Sequence, residues 1–305
     1  LYSRTNGHLS RIALVFPNKR AGLFFNEYLA QQSETPIWSP TYISISDLFR
    51  SLSTYEVGDS IKLVCELYKA FRTHTQSKET LDDFYFWGEL LLSDFDDADK
   101  NLVPTDKLFK NLQELRAMMD DYTFMDKEQE AAIQQFFQNF SIEKRTALKE
   151  KFISMWDVLG DIYQNFRNIL KTQGIAYEGM MYREVVEKLN PESLPYDTYV
   201  FVGFNVLNQV EHTLFKKLNE AGKALFYWDY DTFYMDQKKK HEAGVFIRKN
   251  LEEFPSALPE EAFQHMNNLS RPKEIRYISA STENAQARYL PQWIRENLTQ
   301  PEKET

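Results

Sequence analysis

Two acidic residues, Asp229 and Asp231, follow an apolar run that ends at Trp228, and their spacing suits a metal ion. Carboxylate oxygens are the ligands that Mg²⁺ and Ca²⁺ prefer, and ligands of α/β proteins collect where strands end. Because the sequence shows no third ligand beside the pair, helix capping or exposure to solvent is the alternative interpretation. A metal-dependent enzyme that uses Asp229 and Asp231 is therefore one hypothesis.

A basic turn, Asn18-Lys19-Arg20, follows the apolar run 11–16 and opens a helical pattern. Unpaired backbone N–H groups at a helix N-terminus attract anions, and two adjacent cations add to that attraction. A DNA phosphate is a fitting ligand, so Asn18, Lys19 and Arg20 are candidate DNA-binding residues. The alternative interpretation is a solvated turn.

The residues that bind and hydrolyse a nucleotide are missing from this sequence. A P-loop, G-x-x-x-x-G-K-[ST], cradles phosphates with backbone N–H groups, and the pattern occurs nowhere in the chain. Nucleotide hydrolases also carry an acidic pair at the end of a later strand, where Gly203 and Phe204 stand here. Since phenylalanine neither binds a metal nor acts as a base, the sequence predicts no ATPase. No catalytic residue, metal or cofactor is assigned.

The charge balance bears on nucleic-acid binding. The chain has 36 Lys and Arg against 45 Asp and Glu, a net charge of −9. Because a free-standing DNA-binding module is usually basic, this balance argues against a tight autonomous nucleic-acid binder. It leaves open a module that contributes one wall of a larger complex. The densest basic run, Lys238-Lys239-Lys240, is a second candidate for phosphate contacts, with a solvated helix face as the alternative.

Two further features point to structure and compartment rather than to chemistry. The acidic run from Asp94 to Asp99 lacks the glycine and glutamate of an EF-hand loop, because Asp99 and Thr105 stand at those positions. It is predicted to be a polar helix end. The single cysteine, Cys65, is predicted to be a small buried hydrophobe. Because one thiol cannot form an internal disulfide, this cysteine usage fits a reducing, cytoplasmic compartment. No apolar run is long enough to span a membrane.

Short apolar runs that alternate with amphipathic helical patterns predict the fold class. The runs read as buried strands at 11–16, 41–45, 198–204, 224–228 and 275–280. Helical patterns at 20–32, with Leu23, Phe24 and Tyr28 on one face, and at 208–219 follow two of them. Strand and helix in alternation predict an α/β protein with a parallel sheet.

Between the second and third predicted strands lies a long region that reads as helical throughout. A helical block spliced between strands of one sheet indicates an inserted subdomain. The expected units are residues 1–53 as the first part of the α/β core, 54–190 as an all-helical insertion, 191–271 as the second part of the core, and 272–305 as the start of a following, truncated domain.

Several segments in this order resemble the N-terminal part of AddB-type subunits of bacterial helicase–nuclease complexes. The likeness runs along most of the chain and rests on the order and spacing of short motifs. They are Val15-Phe16-Pro17-Asn18-Lys19-Arg20-Ala21, Ile43-Ser44-Ile45-Ser46-Asp47-Leu48, Trp87-Gly88-Glu89-Leu90-Leu91 with Ser93-Asp94-Phe95-Asp96 and Asp99, Val202-Gly203-Phe204 with Leu207 and Glu211, and Ser281 to Ile294.

The resemblance implies a superfamily I helicase-like, P-loop-NTPase-like core that has lost its P-loop. It further implies a role in double-strand-break repair and recombination, with an AddA-type helicase–nuclease subunit and DNA as partners. Gly203, Phe204 and Asp229 then mark the degenerate motor motif. The family's PD-(D/E)xK nuclease residues do not occur in this sequence, so the resemblance implies that nuclease activity lies elsewhere in a longer protein. A pure protein-interaction domain without DNA contacts is a third hypothesis.

Overall fold

The structure is a computed structural model that describes residues 2–5, 7–33, 36–75, 77–110, 158–235, 241–259, 262, 266–273, 275 and 277–297. Elements are numbered along the described residues. The strands are β1 (Ile12–Phe16), β2 (Thr41–Ser44), β3 (Glu56–Val57), β4 (Ile175–Ala176), β5 (Thr198–Val202) and β6 (Ala224–Tyr227).

The helices divide between the sheet and the region inserted into it. Around the main sheet lie α1 (Tyr2–Thr5), α2 (Lys19–Gln32), α3 (Ile45–Leu52), α8 (Gln209–Glu220), α9 (Thr232–Met235) and α10 (Val245–Glu253), and α11 (Glu283–Asn297) follows them in the sequence. In the insertion lie α4 (Ser60–His74), α5 (Leu81–Lys100), α6 (Leu159–Thr172) and α7 (Glu178–Lys188). Among these helices, none is long and apolar enough to cross a bilayer.

The main sheet has the strand order β2-β1-β5-β6, and every pair in it is parallel. This confirms the predicted α/β class with a parallel sheet. The chain leaves β1 towards β2 on one side and later enters β5 on the other side. The point between β1 and β5 is therefore the topological switch point, where α/β proteins bind their ligands.

The sheet is covered on both faces, which explains its apolar strands. All five residues of β1 are buried. Ala13 and Val15 face the larger core cluster, whereas Leu14 and Phe16 face a smaller one that α2 covers through Leu29. Because successive side chains of a strand point to opposite faces, a strand buried on both sides must be apolar throughout.

The inserted region is not helical throughout, and this part of the sequence prediction is wrong. Strands β3 and β4 form a small parallel pair in which Glu56 N donates to Gly174 O over 3.1 Å and Gly58 N donates to Ala176 O over 2.9 Å. The pair ties the beginning of the insertion to a point near its end. Strands of two residues carry no readable periodicity, which explains the error.

The predicted fifth strand, Ile275 to Ala280, is also wrong, since its described residues 275 and 277–280 form no strand. Tyr277 has 92% of its surface exposed. A strand forms only where a neighbour accepts its backbone hydrogen bonds. The residues beside β6 are instead Ser256 and Ala257. Phe226 of β6 forms an isolated bridge with Ser256, and the carbonyl of Phe226 accepts a 2.7 Å hydrogen bond from Ala257 N.

Candidate functional site

The carboxyl edge of the parallel sheet gathers the residues that the sequence analysis singled out. The turn after β1 carries Asn18, Lys19 and Arg20, and the loop after β5 begins with Gly203 and Phe204. The segment after β6 carries the two aspartates. Because β1 and β5 are neighbours, the basic turn and the Gly-Phe loop flank the switch point.

Asn18, in the turn after β1, is the N-cap of α2. Its Oδ1 accepts hydrogen bonds from Arg20 N over 3.1 Å and from Ala21 N over 3.3 Å. A side-chain oxygen at this position satisfies the N–H groups that a helix leaves unpaired in its first turn. Asn18 therefore has a structural role, and the exposed side chains of Lys19 and Arg20 are left as the groups that can meet an anion.

Lys19 forms an ion pair with Asp47 in the first turn of α3. The Nζ of Lys19 lies 3.0 Å from Oδ2 of Asp47. Oδ2 of Asp47 also accepts a 2.6 Å bond from the Ser44 hydroxyl, and this bond, followed by Lys19, lowers the pKa of Asp47. The carboxylate is thus ionised at neutral pH and held beside the ammonium group.

Further ion pairs continue from Asp47 into the inserted region. Arg50 Nη1 lies 3.6 Å from Asp47 Oδ1, while Arg50 Nη2 lies 3.0 Å from Glu178 Oε1 on α7. Lys100 on α5 then bridges Glu178 Oε2 at 3.4 Å and Asp96 Oδ2 at 2.7 Å. Burial lowers the pKa of Lys100, but these two carboxylates outweigh it and raise that pKa overall. A continuous ion-pair chain therefore joins the basic turn to the helical insertion.

Phe204, in the loop that follows β5, points into the core. Only 4% of its surface is exposed. Its ring lies 6.0 Å from that of Phe201 on β5 and 5.2 Å from that of Phe215 on α8. The side chain therefore packs against the helix that covers the sheet, and it offers nothing to a ligand at the switch point.

The loop that carries Phe204 is held in one conformation. Gly203 adopts φ +74°, a left-handed backbone that favours glycine, and its N–H donates to Tyr227 O over 3.2 Å. From α10, the buried Asn250 donates to Asn205 O over 2.6 Å. Asn208 and Glu211 then cap α8 reciprocally. These hydrogen bonds anchor the loop beside the switch point.

The acidic pair after β6 does not assemble a metal site. Asp231 Oδ1 accepts from Phe233 N over 2.9 Å, and Oδ2 accepts from Leu269 N over 2.8 Å. The bond from Leu269, then that from Phe233, lowers the pKa of Asp231. Asp229 is exposed. Within the described part of the chain, no three His, Cys, Asp or Glu residues come together as a metal site would require.

Two further features of the sequence are the basic run after α9 and the single cysteine. Lys238, Lys239 and Lys240 lie outside the described residues. Cys65 is only partly buried, so the prediction of a buried thiol is wrong. It lies on α4, whose fully buried positions are taken by neighbours such as Val64 and Leu67.

The apolar face predicted for α2 is also misplaced. Leu23, Phe24 and Tyr28 are exposed, and Phe24 has 63% of its surface in solvent. The buried positions of this helix are Gly22 and Leu29. Gly22 faces Tyr42, whose Cβ lies 3.1 Å from where a Cβ on the glycine would stand, so α2 approaches β2 closely on that side. These three apolar side chains are therefore exposed on the surface of α2.

Asp99 is a buried ionic centre that the sequence analysis missed. It is 0% exposed. Its Oδ1 accepts a hydrogen bond from the Tyr163 hydroxyl over 2.6 Å and lies 3.0 Å from Arg167 Nη1 and 2.8 Å from Arg183 Nη1. Its Oδ2 accepts from Tyr177 OH over 2.5 Å. These bonds join three helices of the insertion and the segment that precedes α7.

A signal for this centre existed in the sequence. Phe84, Gly88, Phe95 and Asp99 are the buried residues of α5 and recur at helical spacing, so Asp99 falls on the apolar face. A buried carboxylate needs charged or hydrogen-bonding partners. Because the neighbouring residues are also acidic, the sequence analysis predicted a polar helix end here and not a buried carboxylate.

Comparisons of the sequence with models of known protein families and with curated proteins find no match.

Proposed function

We propose that this chain is a non-catalytic, helicase-like domain of an AddB-type subunit, which supports a partner helicase and guides DNA during double-strand-break repair. The observation that carries the proposal is Phe204, buried in the core at the switch point of a parallel sheet. A motor of this architecture needs a magnesium-binding acid there. The geometry favours a core that has kept the motor's frame without its chemistry.

The other side of the switch point supports the same proposal. The turn after β1 has Asn18 as the N-cap of α2. Backbone N–H groups of Arg20 and Ala21 already bond to Asn18, which leaves them less available to a triphosphate. The arrangement is suited to a single backbone phosphate that meets side-chain cations.

DNA guidance is proposed for Lys19 and Arg20, both exposed at the carboxyl edge. Their charges are positive against a net charge of −9 for the chain, so attraction to DNA would be local. Such a turn steers a strand that a partner already holds better than it captures DNA alone. This fits a subunit that acts beside an AddA-type helicase–nuclease.

The exposed apolar surface of α2 favours a second candidate, a pure protein-interaction domain. Leu23, Phe24 and Tyr28 are exposed together, and aromatic residues are enriched at protein interfaces. Both candidates need a protein partner, and only the first needs DNA. Charge reversal at Lys19 and Arg20 separates them, because it weakens DNA binding of the complex only under the first.

The direct test of the leading proposal is nucleotide binding. Calorimetric titration of the natural gene product with ATP and Mg²⁺ should give no saturable heat that this region accounts for. The variant Phe204→Asp should not create such binding, because the side chain at this position points into the core and away from the switch point. Saturable binding that is lost when residues at the switch point are substituted would refute the proposal.

Assembly is the second arm of that test. The gene product should copurify with the AddA-type subunit of the same organism in a stable complex, and the complex should bind single-stranded DNA. Substitution of Phe24 by Asp should weaken assembly if α2 faces the partner. Failure of the unsubstituted protein to assemble would reject the proposed partner.

A further inference from the structure

Asp47 lies beside Lys19 at the carboxyl edge of the sheet. Its Oδ2 lies 3.0 Å from the Lys19 Nζ, a distance typical of a charge-assisted hydrogen bond. Asp47 belongs to α3 after β2, whereas Lys19 opens α2 after β1. The contact therefore crosses between two neighbouring strand ends at the carboxyl edge.

The side chain of Asp47 has a second cation within reach. Arg50, one turn along α3, lies 3.6 Å from Oδ1, a looser contact than that with Lys19. Glu178 holds the other end of that guanidinium at 3.0 Å, so Arg50 stays near Asp47 whether or not Lys19 does. A carboxylate released from Lys19 would thus keep a partner and remain charged.

We propose that Asp47 is a built-in counter-anion that engages Lys19 until a DNA phosphate displaces it, and so weakens DNA binding at the basic turn. This inference rests on the proposed DNA-guiding function and concerns the regulation of that same turn. Because the ammonium group exchanges one anion for another, the net gain from each phosphate is small. The turn would then release DNA readily, as a guide for a moving strand requires.

The ion-pair chain connects the exchange of anions at Lys19 to the helices of the insertion. Once a phosphate takes Lys19, Asp47 is left with Arg50 as its cationic partner and competes with Glu178 for the same guanidinium. Glu178 also contacts Lys100 on α5 at 3.4 Å. DNA at the basic turn would therefore shift the ion pairing of the helical region.

The test is fluorescence anisotropy of a dye-labelled single-stranded oligonucleotide, titrated with the complex of the natural gene product and its AddA-type partner. Asp47→Asn keeps the size of the side chain and removes its charge, so we expect affinity at low salt to rise about two- to fivefold. Lys19→Gln should lower affinity and reduce the slope of log K against log salt by about 0.7. In the Lys19→Gln background, Asp47→Asn should add no gain.

A matched control lies at the opposite edge of the sheet. Asp197 pairs with Arg11 at 2.6 Å, and both precede strands rather than follow them. Asp197→Asn removes the same charge beside a similar cation and should leave DNA affinity unchanged. An equal gain in this control, or a gain from Asp47→Asn without Lys19, would show a long-range charge effect and overturn the inference.

The outcomes separate the inference from the function on which it rests. If Lys19→Gln weakens binding and Asp47→Asn changes nothing, the counter-anion inference is wrong and the DNA-guiding function stands. If joint substitution of Lys19 and Arg20 by Gln has no effect, the placement of DNA is wrong. Thermal unfolding of each variant is measured in parallel, and Asp47→Ser replaces Asp47→Asn if the latter fails to fold.

Discussion

The backbone N–H of Gly179 donates a 2.6 Å hydrogen bond to Oδ1 of Asp96, and this contact fixes α7 against α5. Asp96 also holds Lys100 through its other oxygen at 2.7 Å. One side chain thus fixes the start of α7 and ends the ion-pair chain from the basic turn. The acidic run at the end of α5 is a docking element between helices.

Gly179→Ala should destabilise the protein because the new methyl group would collide with the main-chain oxygen of Asp96. Backbone cannot yield as a flexible side chain can, so we expect a loss of about 1–3 kcal/mol in the free energy of unfolding. Urea denaturation measures it. Gly160→Ala on α6 is the control, since its nearest contact is the Phe109 Cβ at 3.3 Å. A variant at Gly179 as stable as this control would contradict the close approach.

Asp99→Asn should be far more damaging than a change at a neighbouring aspartate. It leaves the largely buried Arg167 and Arg183 without their shared carboxylate. Breaking a buried ion pair on one side costs about 3–5 kcal/mol. Asp97→Asn, on the exposed side of the same helix, should stay within about 0.5 kcal/mol. Equal effects in chemical denaturation would show that Asp99 is not the centre of the cluster.

The same cluster predicts how stability changes at alkaline pH. Burial, and then the charge of Asp99, raises the pKa of Tyr163 to about 12. Because the folded state holds this proton more tightly, its contribution is complete below the unfolded pKa of about 10 and is lost as pH rises towards about 12. The free energy of unfolding should therefore fall across that window.

Tyr163→Phe provides the control for this titration. The variant lacks the ionising hydroxyl, so its stability should fall less steeply between pH 10 and 12 than that of the unsubstituted protein. Absorbance at the tyrosinate band should also show one late-titrating tyrosine fewer. Identical slopes for the two proteins would rule out Tyr163 as a source of the alkaline loss.

The sequence predicted the sheet and the residues at its edge, because both follow from local signals. Apolar runs with β-branched and aromatic residues mark β1 and β5, and parallel topology brings their ends together. The same reasoning failed at Ile275 to Ala280, where composition suits a strand but no neighbouring strand pairs with it. Strand formation depends on partners that a single segment does not reveal.

The roles of the site residues were less predictable than their positions. The sequence placed Lys19 at the edge of the sheet, but its pairing with Asp47 depends on the register between β1 and β2. Asp99 was misread because partners more than 60 positions away in sequence, Tyr163 among them, decide whether a carboxylate is buried. The helical spacing of α5 places Asp99 on its buried face, but it does not reveal which residues pair with the carboxylate.

Substitutions at Phe204 distinguish a packing role of its ring from a role in binding a ligand at the switch point. Phe204→Ala removes a ring that packs on Phe201 and Phe215, and it should cost about 3–5 kcal/mol. Phe204→Leu keeps most of that volume and should cost less than about 1.5 kcal/mol. Phe24→Ala, on the exposed face of α2, should change the free energy of unfolding by no more than about 0.5 kcal/mol. A tolerated alanine at Phe204 would mean that the ring does not fill the core, and it would remove the main support for the proposed non-catalytic, helicase-like domain.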